Sequence, residues 1–302
     1  MNRTNSKSFL IWRSIARKIF PVLIWALLLL WAFFFLVLLI WGLITSVKSS
    51  VGFYLDPIFF PQGKGMWAFK NYVVAFQNIK VQISSSRNVG FFTMLGNSLL
   101  FSVGNAFFSV LTASLASYVL AKYSRFRWVG ALWAIVLITN YMPLSSSAAA
   151  NIKLLSDLGI YDSMAGNWLW SCGAFGAVFL MYYACWKGLS WGYAEAAFID
   201  GAGHFRTMVQ IMFPMTKTIF GVLFLMQFIS LWNDYMTPIY YLPSWPNLSY
   251  GAWQLQYSTN YQTADVTVKI AGLIFIAFPI FVLFMCFKDK LMGSLTIGGL
   301  KG

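Results

Sequence analysis

Charged residues are scarce in this chain. Of its 302 residues only 10% are charged and 59% are hydrophobic, whereas soluble domains carry about 25% charged residues. This shortage excludes an ordinary soluble domain, and an aromatic content of 19% is the opposite of what disordered chains have. The class that fits is an integral membrane protein with several spans.

Residues that serve catalysis and metal binding are also few. The chain has one histidine, His204, and three cysteines without CxxC spacing, so neither a zinc site nor a disulfide framework is predicted. No segment has the P-loop pattern GxxxxGK[ST], and HExxH and GxSxG are absent as well. The sequence therefore predicts a protein that is not an enzyme and that holds no metal or cofactor of its own.

Long charge-free windows predict the membrane spans. A helix crosses the bilayer core with about 20 apolar residues, and six windows meet this need if Asp234 is tolerated near one end. We expect one all-α membrane domain, 1–302, with six spans near 20–44, 93–121, 129–151, 165–186, 216–239 and 270–287. The charge-free stretch 235–264 is rich in Pro, Asn and Gln. It is predicted to lie outside the membrane, because irregular backbone is not tolerated against lipid.

The basic residues predict the orientation of the chain. There are 21 Lys and Arg against 8 Asp and Glu, a net charge of +13. With six spans, 14 of the 21 basic residues lie on the side that holds both termini, and the positive-inside rule makes that side the cytoplasm. In a membrane protein such an excess indicates contact with anionic lipid, and no nucleic-acid partner is predicted.

The cytoplasmic connection 187–217 is long for a helical bundle. Residues 194–199 are good helix formers, and Gly201 and Gly203 permit a sharp turn. The apolar residues that follow repeat at helical spacing: Phe205, Met208, Val209 and Met212. The pattern predicts a helix, a glycine turn and a second, amphipathic helix.

The same loop resembles the EAA loop of ABC-importer permeases. The motif positions are held, at the family spacing, by Glu195, Ala196, Ala197, Gly201, Ile211 and Pro214. Phe213 stands where the family usually has Leu, and 189–193 lacks the usual Pro and acidic residues. Further similar segments are GNSLLFS at 96–102, ASYVLAKYSRFR at 116–127, WNDY at 232–235 and LTIGGLKG at 295–302. The chain thus resembles the permease subunits of carbohydrate ABC importers of the maltose-transporter-like class; the segment 140–186 matches least.

This resemblance implies a type I importer fold in a bacterial cell membrane and a set of partners. They are a second homologous permease subunit, two ATPase subunits that use ATP and Mg, and an extracellular or periplasmic solute-binding protein. It also implies that the loop is a coupling helix that contacts the ATPase through Glu195, Ala196, Ala197, Asp200, Gly201, Ile211 and Pro214. In the family the glycine-rich tail inserts between the ATPase subunits, which here points to Gly298, Gly299, Lys301 and Gly302.

Some interpretations stay open at this point. Asp200 either caps the turn or contacts the ATPase partner. His204 is interpreted as a surface residue of the loop, in preference to a pH sensor. Four residues near the outer end of span five border the translocation path or hold the helices together: Trp232, Asn233, Asp234 and Tyr235. The expected solute is an oligosaccharide or polysaccharide fragment. The alternatives are a non-sugar solute such as a glycerol phosphate, or an ion-coupled secondary transporter, whose inverted repeat this sequence does not show.

Overall fold

The computed structural model describes residues 3–63, 65–141, 148–173, 176–258 and 264–295, and most of them are helical. The first third of the chain contains four helices and one hairpin: α1 (Arg3–Ser46), α2 (Ser50–Leu55), α3 (Lys70–Asn78), β1 (Lys80–Ser84), β2 (Arg87–Gly90) and α4 (Phe91–Lys122). The strands pair antiparallel, with Val81 opposite Val89 and a bulge between Gln82 and Ser84. Both valines are buried, so this hairpin contributes to the core.

Shorter helices make up most of the remainder. In chain order they are α5 (Arg127–Tyr141), α6 (Ala148–Asp157), α7 (Met164–Ser171), α8 (Ala177–Gly188), α9 (Gly192–Ile199), α10 (His204–Thr207), α11 (Phe213–Met215), α12 (Lys217–Trp232), α13 (Met236–Tyr241), α14 (Leu248–Gln256) and α15 (Val266–Leu295). A π-helical turn, Met208–Met212, joins α10 to α11. The all-α membrane bundle predicted from composition is the observed fold class.

Three helices of the described residues are long and apolar enough to cross a membrane: Ile19–Ser46, Phe91–Lys122 and Val266–Leu283. The pair His204–Met215 and Lys217–Trp232 passes the same test together, but it bends by 71° at the break. The other predicted windows hold helix pairs. Window 129–151 contains parts of α5 and α6, and window 165–186 contains parts of α7 and α8. Six spans therefore remain a prediction.

The described residues form two compact units, and α3 and α15 each contribute to both. The first unit comprises the chain up to Ala75 together with 264–274. In this unit the Lys48 side chain is fully buried, and its Nζ donates to the Asp56 carbonyl at 2.7 Å. Asn71 Nδ2 donates to the carbonyls of Ser46 and Lys48, at 2.9 and 2.7 Å. These bonds satisfy polar groups that burial would otherwise make costly.

In the second unit, 76–258 with 275–295, α4 is the central helix. It packs against α7, α8, α12 and α14, and its buried polar side chains bind the chain around α14. Asn97 Nδ2 donates to the Pro246 carbonyl at 2.9 Å, and Ser98 Oγ accepts the Leu248 N–H at 2.8 Å. The polar stretch 235–264 thus contains two helices, and α14 is attached to α4 by hydrogen bonds.

Candidate functional site

The loop 187–217 has the local structure that its sequence predicts. Helix α9 ends at Ile199, the chain turns at Gly201 and α10 begins at His204. Gly201 has φ of +79°, in the left-handed region that side chains with a Cβ avoid. The Gly201 and Ala202 N–H groups donate to carbonyls of α9, at 3.1 and 2.9 Å. The helix, glycine turn and second helix are confirmed.

The residues of α9 divide between its two faces. Ala194 and Ala197 are buried, one turn apart, and face the bundle. Glu195 and Ala196 are exposed on the other side, as is Asp200 just beyond the helix. Glu195 lies in the first turn of α9, where a carboxylate is favoured by the helix dipole. Small alanines thus let α9 approach the bundle while its carboxylate points away.

The sequence predicts that the second helix of the loop has its apolar residues on one face. In the structure these residues are divided between a buried face and an exposed face. Met212 is fully buried and Met208 packs on the same core cluster. Phe205 and Val209 are 75% and 46% exposed. The π-helical turn Met208–Met212 changes the residue spacing within this helix. The side of this helix that carries Phe205 and Val209 is therefore not covered by other described residues of the chain.

An aromatic cluster attaches the loop to the bundle. The Trp186 indole of α8 lies edge-on to Tyr118 of α4, 5.1 Å between ring centroids, and to Phe213, 5.5 Å away. Its Nε1 donates to the Ser114 carbonyl at 3.1 Å. Lys122, at the end of α4, donates through Nζ to the Leu189 carbonyl. The loop is thereby joined to α4 and α8 by buried contacts.

His204 makes a specific contact at the start of α10. Its Nδ1 is 2.8 Å from the hydroxyl oxygen of Tyr123, the residue after α4. The imidazole also lies against the Phe198 ring, with 4.6 Å between centroids. His204 is an exposed residue of the loop, and these two contacts connect α10 with α9 and with the end of α4.

The remaining motif positions lie on the second half of the loop or outside the described residues. Ile211 is half-buried in the π-helical turn, and Pro214 is exposed at the start of α11. The tail residues Gly298, Gly299, Lys301 and Gly302 lie outside the described residues.

The structure places Trp232 in the core, whereas Asn233, Asp234 and Tyr235 form the turn from α12 to α13. Trp232 is fully buried and its carbonyl accepts a hydrogen bond from Ser249. Asn233 Nδ2 donates to the Ile229 carbonyl of its own helix at 2.8 Å.

Asp234 makes local contacts, and Tyr235 contacts α14. Asp234 Oδ1 accepts the N–H groups of Met236 and Thr237, at 2.9 and 3.0 Å, and so caps α13. The Tyr235 ring stacks on Trp253 with 6.0 Å between centroids. The side chains of Asn233 and Asp234 thus make local contacts, whereas the carbonyls of Trp232 and Asp234 accept hydrogen bonds from Ser249 and Asn247 in the region of α14.

The fold brings together a second group of polar residues that no sequence motif marks. Asn105 and Ser109 of α4 lie near Ser171 of α7 and Gln227 of α12. All four interrupt apolar, charge-free windows. Polar side chains at such depth are costly unless they have partners or a function, and this signal could have found Asn105 and Gln227.

The chain is similar in sequence to several known permease proteins. No protein-family profile matches the chain. It is 25% identical over 281 residues to the diacetylchitobiose uptake system permease protein NgcG of Streptomyces coelicolor, covering 90% of this chain and 86% of the relative. It is 28% identical to the arabinooligosaccharides transport system permease protein AraQ of Bacillus subtilis, covering 70% and 74%. The maltodextrin transport system permease protein MdxG of the same organism is 29% identical, with 68% and 74% covered.

The fold of the chain is also similar to that of a solved structure. A chain from the crystal structure of a bacterial ABC transporter involved in the import of the acidic polysaccharide alginate superposes with a TM-score of 0.68. The match covers 91% of this chain and 97% of that one, at 18% identity. The chain is therefore similar, in sequence and in fold, to the integral membrane permease subunits of ABC importers, which are not themselves enzymes because a separate subunit carries the ATPase.

Proposed function

We propose that this permease forms half of the translocation path for a carbohydrate in a binding-protein-dependent importer. Three of its relatives are named for the uptake of diacetylchitobiose, arabinooligosaccharides and maltodextrin, which supports an oligosaccharide as the solute. The proposed assembly pairs it with a second homologous permease, two ATPase subunits and an extracellular solute-binding protein. Both termini lie in the cytoplasm, and ATP and Mg bind to the ATPase subunits.

The observation that carries the proposal is the outward side of the loop. Glu195 is exposed on α9, and Ile199, Phe205 and Val209 are exposed large apolar residues of the same loop. Exposed apolar residues with a carboxylate beside them suit a partner groove that has a basic residue at its rim. Apolar burial supplies affinity there, and the charge pair fixes the orientation of the helix.

The loop is built to transmit movement of the ATPase subunits. Its second helix continues into α12 through a 71° bend, and the aromatic cluster around Trp186 attaches it to α4 and α8. A displacement of α9 and α10 would therefore move these helices together as a rigid body. In the same proposal Asp200, Ile211 and Pro214 shape the docking surface, and the tail residues Gly298, Gly299, Lys301 and Gly302 contact the ATPase subunits.

A glycerol phosphate is the second candidate solute. The sn-glycerol-3-phosphate transport system permease protein UgpE of Escherichia coli is 28% identical over 162 residues. This match covers 54% of the chain and 57% of the relative, less than the matches to the three sugar permeases.

Uptake by the assembled complex in proteoliposomes tests this proposal. ATP is supplied on the side of the membrane where the ATPase subunits lie. We expect Glu195→Gln to leave the complex assembled but to reduce ATP-driven uptake at least tenfold, because the neutral amide cannot form the charge pair. Asp157→Asn is the control, since Asp157 is an exposed carboxylate at the end of α6. Unchanged uptake in Glu195→Gln would refute the coupling role. A wild-type complex that transports glycerol 3-phosphate but no carbohydrate would refute the choice of solute.

A further inference from the structure

A cleft of about 690 Å³ lies within the second unit, between α4, α7 and α12. Its size falls in the range of about 300–1,000 Å³ that small-molecule sites occupy. It is lined by Asn105, Ser109, Leu158, Ile160, Leu169, Trp170, Ser171, Gly173, Gln227 and Leu231. Two of its lining residues, Asn105 and Ser109, lie near the middle of α4.

Four polar side chains from three helices meet in this cleft. Asn105 is almost fully buried, and its Nδ2 donates to the Phe101 carbonyl at 2.7 Å. Its Oδ1 accepts a hydrogen bond from the Ser171 hydroxyl. Gln227 Nε2 donates to Ser109 Oγ at 3.3 Å. The cleft therefore contains two amide groups and two hydroxyls.

These polar groups retain unused hydrogen-bonding capacity. The 3.3 Å bond of Gln227 is long for an amide donor. Within the described residues its Oε1 has no hydrogen-bond partner, and Asn105 Nδ2 has a second hydrogen without an acceptor. Polar groups with unused hydrogen-bonding capacity do not stabilise an apolar helix bundle unless a ligand or water forms hydrogen bonds with them.

The rest of the lining suits the other chemistry of a sugar. The Trp170 side chain is 43% exposed and offers an aromatic face, while Leu158, Ile160 and Leu169 offer aliphatic surface. Sugar rings present C–H groups on their faces and hydroxyls at their edges. An aromatic face beside amides that both donate and accept matches both parts of such a ring.

Charge decides which sugars fit. None of the described residues that line the cleft is charged. A carboxylate or phosphate would lose its hydration in this cleft without a cation to replace it, which is costly in an apolar bundle. A neutral sugar needs only neutral hydrogen bonds.

We infer that this cleft is a binding site for a neutral oligosaccharide in transit, with Asn105 and Gln227 bonding sugar hydroxyls and Trp170 stacking on a ring. The inference rests on the proposed transport function and deepens it. This subunit then contacts the solute directly and selects against uronate-containing and phosphorylated solutes. It differs in this respect from the structural neighbour, which is involved in the import of an acidic polysaccharide.

The test is uptake by the complete complex, with its own binding protein, in proteoliposomes. The neutral probes are diacetylchitobiose, arabinotriose and maltotriose, and the anionic probes are an alginate trisaccharide and glycerol 3-phosphate. We expect uptake of at least one neutral probe and at least tenfold slower uptake of both anionic probes. Gln227→Leu should lower the maximal uptake of the neutral probe at least tenfold. ATPase stimulation by the loaded binding protein should stay within twofold, because the loop is intact.

Matched variants separate binding from folding. Gln256→Leu removes an exposed amide at the end of α14 and should leave uptake unchanged. Trp170→Ala should lower uptake, and Trp170→Phe should restore most of it because an aromatic face remains. If Gln227→Leu fails to assemble with the ATPase subunits, the two Trp170 variants decide, and equal uptake by both overturns the inference.

The outcomes distinguish the two proposals. A wild-type complex that transports none of the carbohydrates refutes the proposed function. Transport of a neutral sugar that Gln227→Leu and Trp170→Ala leave unchanged refutes the cleft alone. Preference for the alginate fragment refutes the neutral selectivity and leaves carbohydrate transport standing.

Discussion

Gly201 and Gly203 are two positions apart in the loop, but only one of them needs to be glycine. A Cβ at either position would meet no atom within 4 Å. Gly201 has φ of +79°, whereas Gly203 has φ of −75°. Left-handed backbone costs residues with a Cβ about 1–2 kcal/mol. The constraint on the turn is therefore conformational and belongs to Gly201.

Gly201→Ala is expected to weaken transport and Gly203→Ala to leave it unchanged. A strain of about 1–2 kcal/mol changes an equilibrium by about five- to thirtyfold, so stimulated ATPase and uptake should fall by such a factor in Gly201→Ala. Both variants are measured in the same reconstituted complex. Equal activity of the two variants would show that this turn does not need left-handed backbone.

The sequence predicts more about the roles of residues in the loop 187–217 than about the roles of residues near the end of α12. Glu195 lies in a motif with complete spacing, and its exposure agrees with an outward role. Trp232 has no such pattern around it, and aromatic residues are too frequent in this chain to be informative. Its burial depends on Phe228 and on Leu248 and Ala252 of α14, contacts that sequence periodicity cannot report.

Helix α4 lies close against α7 at Gly104. A Cβ there would lie 2.0 Å from Trp168 Nε1, and the same indole nitrogen donates to the Leu100 carbonyl at 3.1 Å. The rigid indole can shift only by breaking that hydrogen bond. Glycine at 104 thus sets the spacing of these two helices, as small residues do in membrane bundles.

Gly104→Ala should destabilise the bundle, since overpacking costs about 1–3 kcal/mol. Gly96→Ala on the same helix meets no atom within 4 Å and should be neutral or slightly stabilising, because alanine favours helix. The melting temperature of the detergent-solubilised protein, followed by fluorescence-detected size exclusion, compares the two. A Gly104→Ala variant as stable as Gly96→Ala would contradict the observed packing.

Helices of uninterrupted apolar sequence could be predicted closely, and interrupted ones could not. The predicted span 93–121 lies within α4, and 270–287 lies within α15. A charge-free window reports compatibility with lipid and not helix continuity. Gly173 and Gly176 fall in the break between α7 and α8. Helix α12 ends at Trp232, and the Asp234 carboxylate binds the first N–H groups of α13 just beyond it.

At the scale of the whole molecule, the asymmetry of the basic residues is the feature from which the orientation is proposed. Five basic residues precede the first predicted span, and the loop 187–217 adds Lys187, Arg206 and Lys217. The first long connection carries five more on the opposite side, so the asymmetry is real but incomplete. Since basic residues near span ends are retained in the cytoplasm, the termini and the loop are proposed to share that side.

Cysteine labelling of the full chain tests this orientation. Ser86 is exposed in the turn between β1 and β2, and Ser190 is exposed at the start of the loop. A membrane-impermeant maleimide applied to intact cells should label Ser86→Cys, because the proposed orientation places that turn outside the cell. Ser190→Cys should react only after permeabilisation. The unmodified chain, with three native cysteines, gives the background for both. Labelling of Ser190→Cys in intact cells would place the loop outside, beyond the reach of any cytoplasmic ATPase, and would overturn the orientation and the coupling role together.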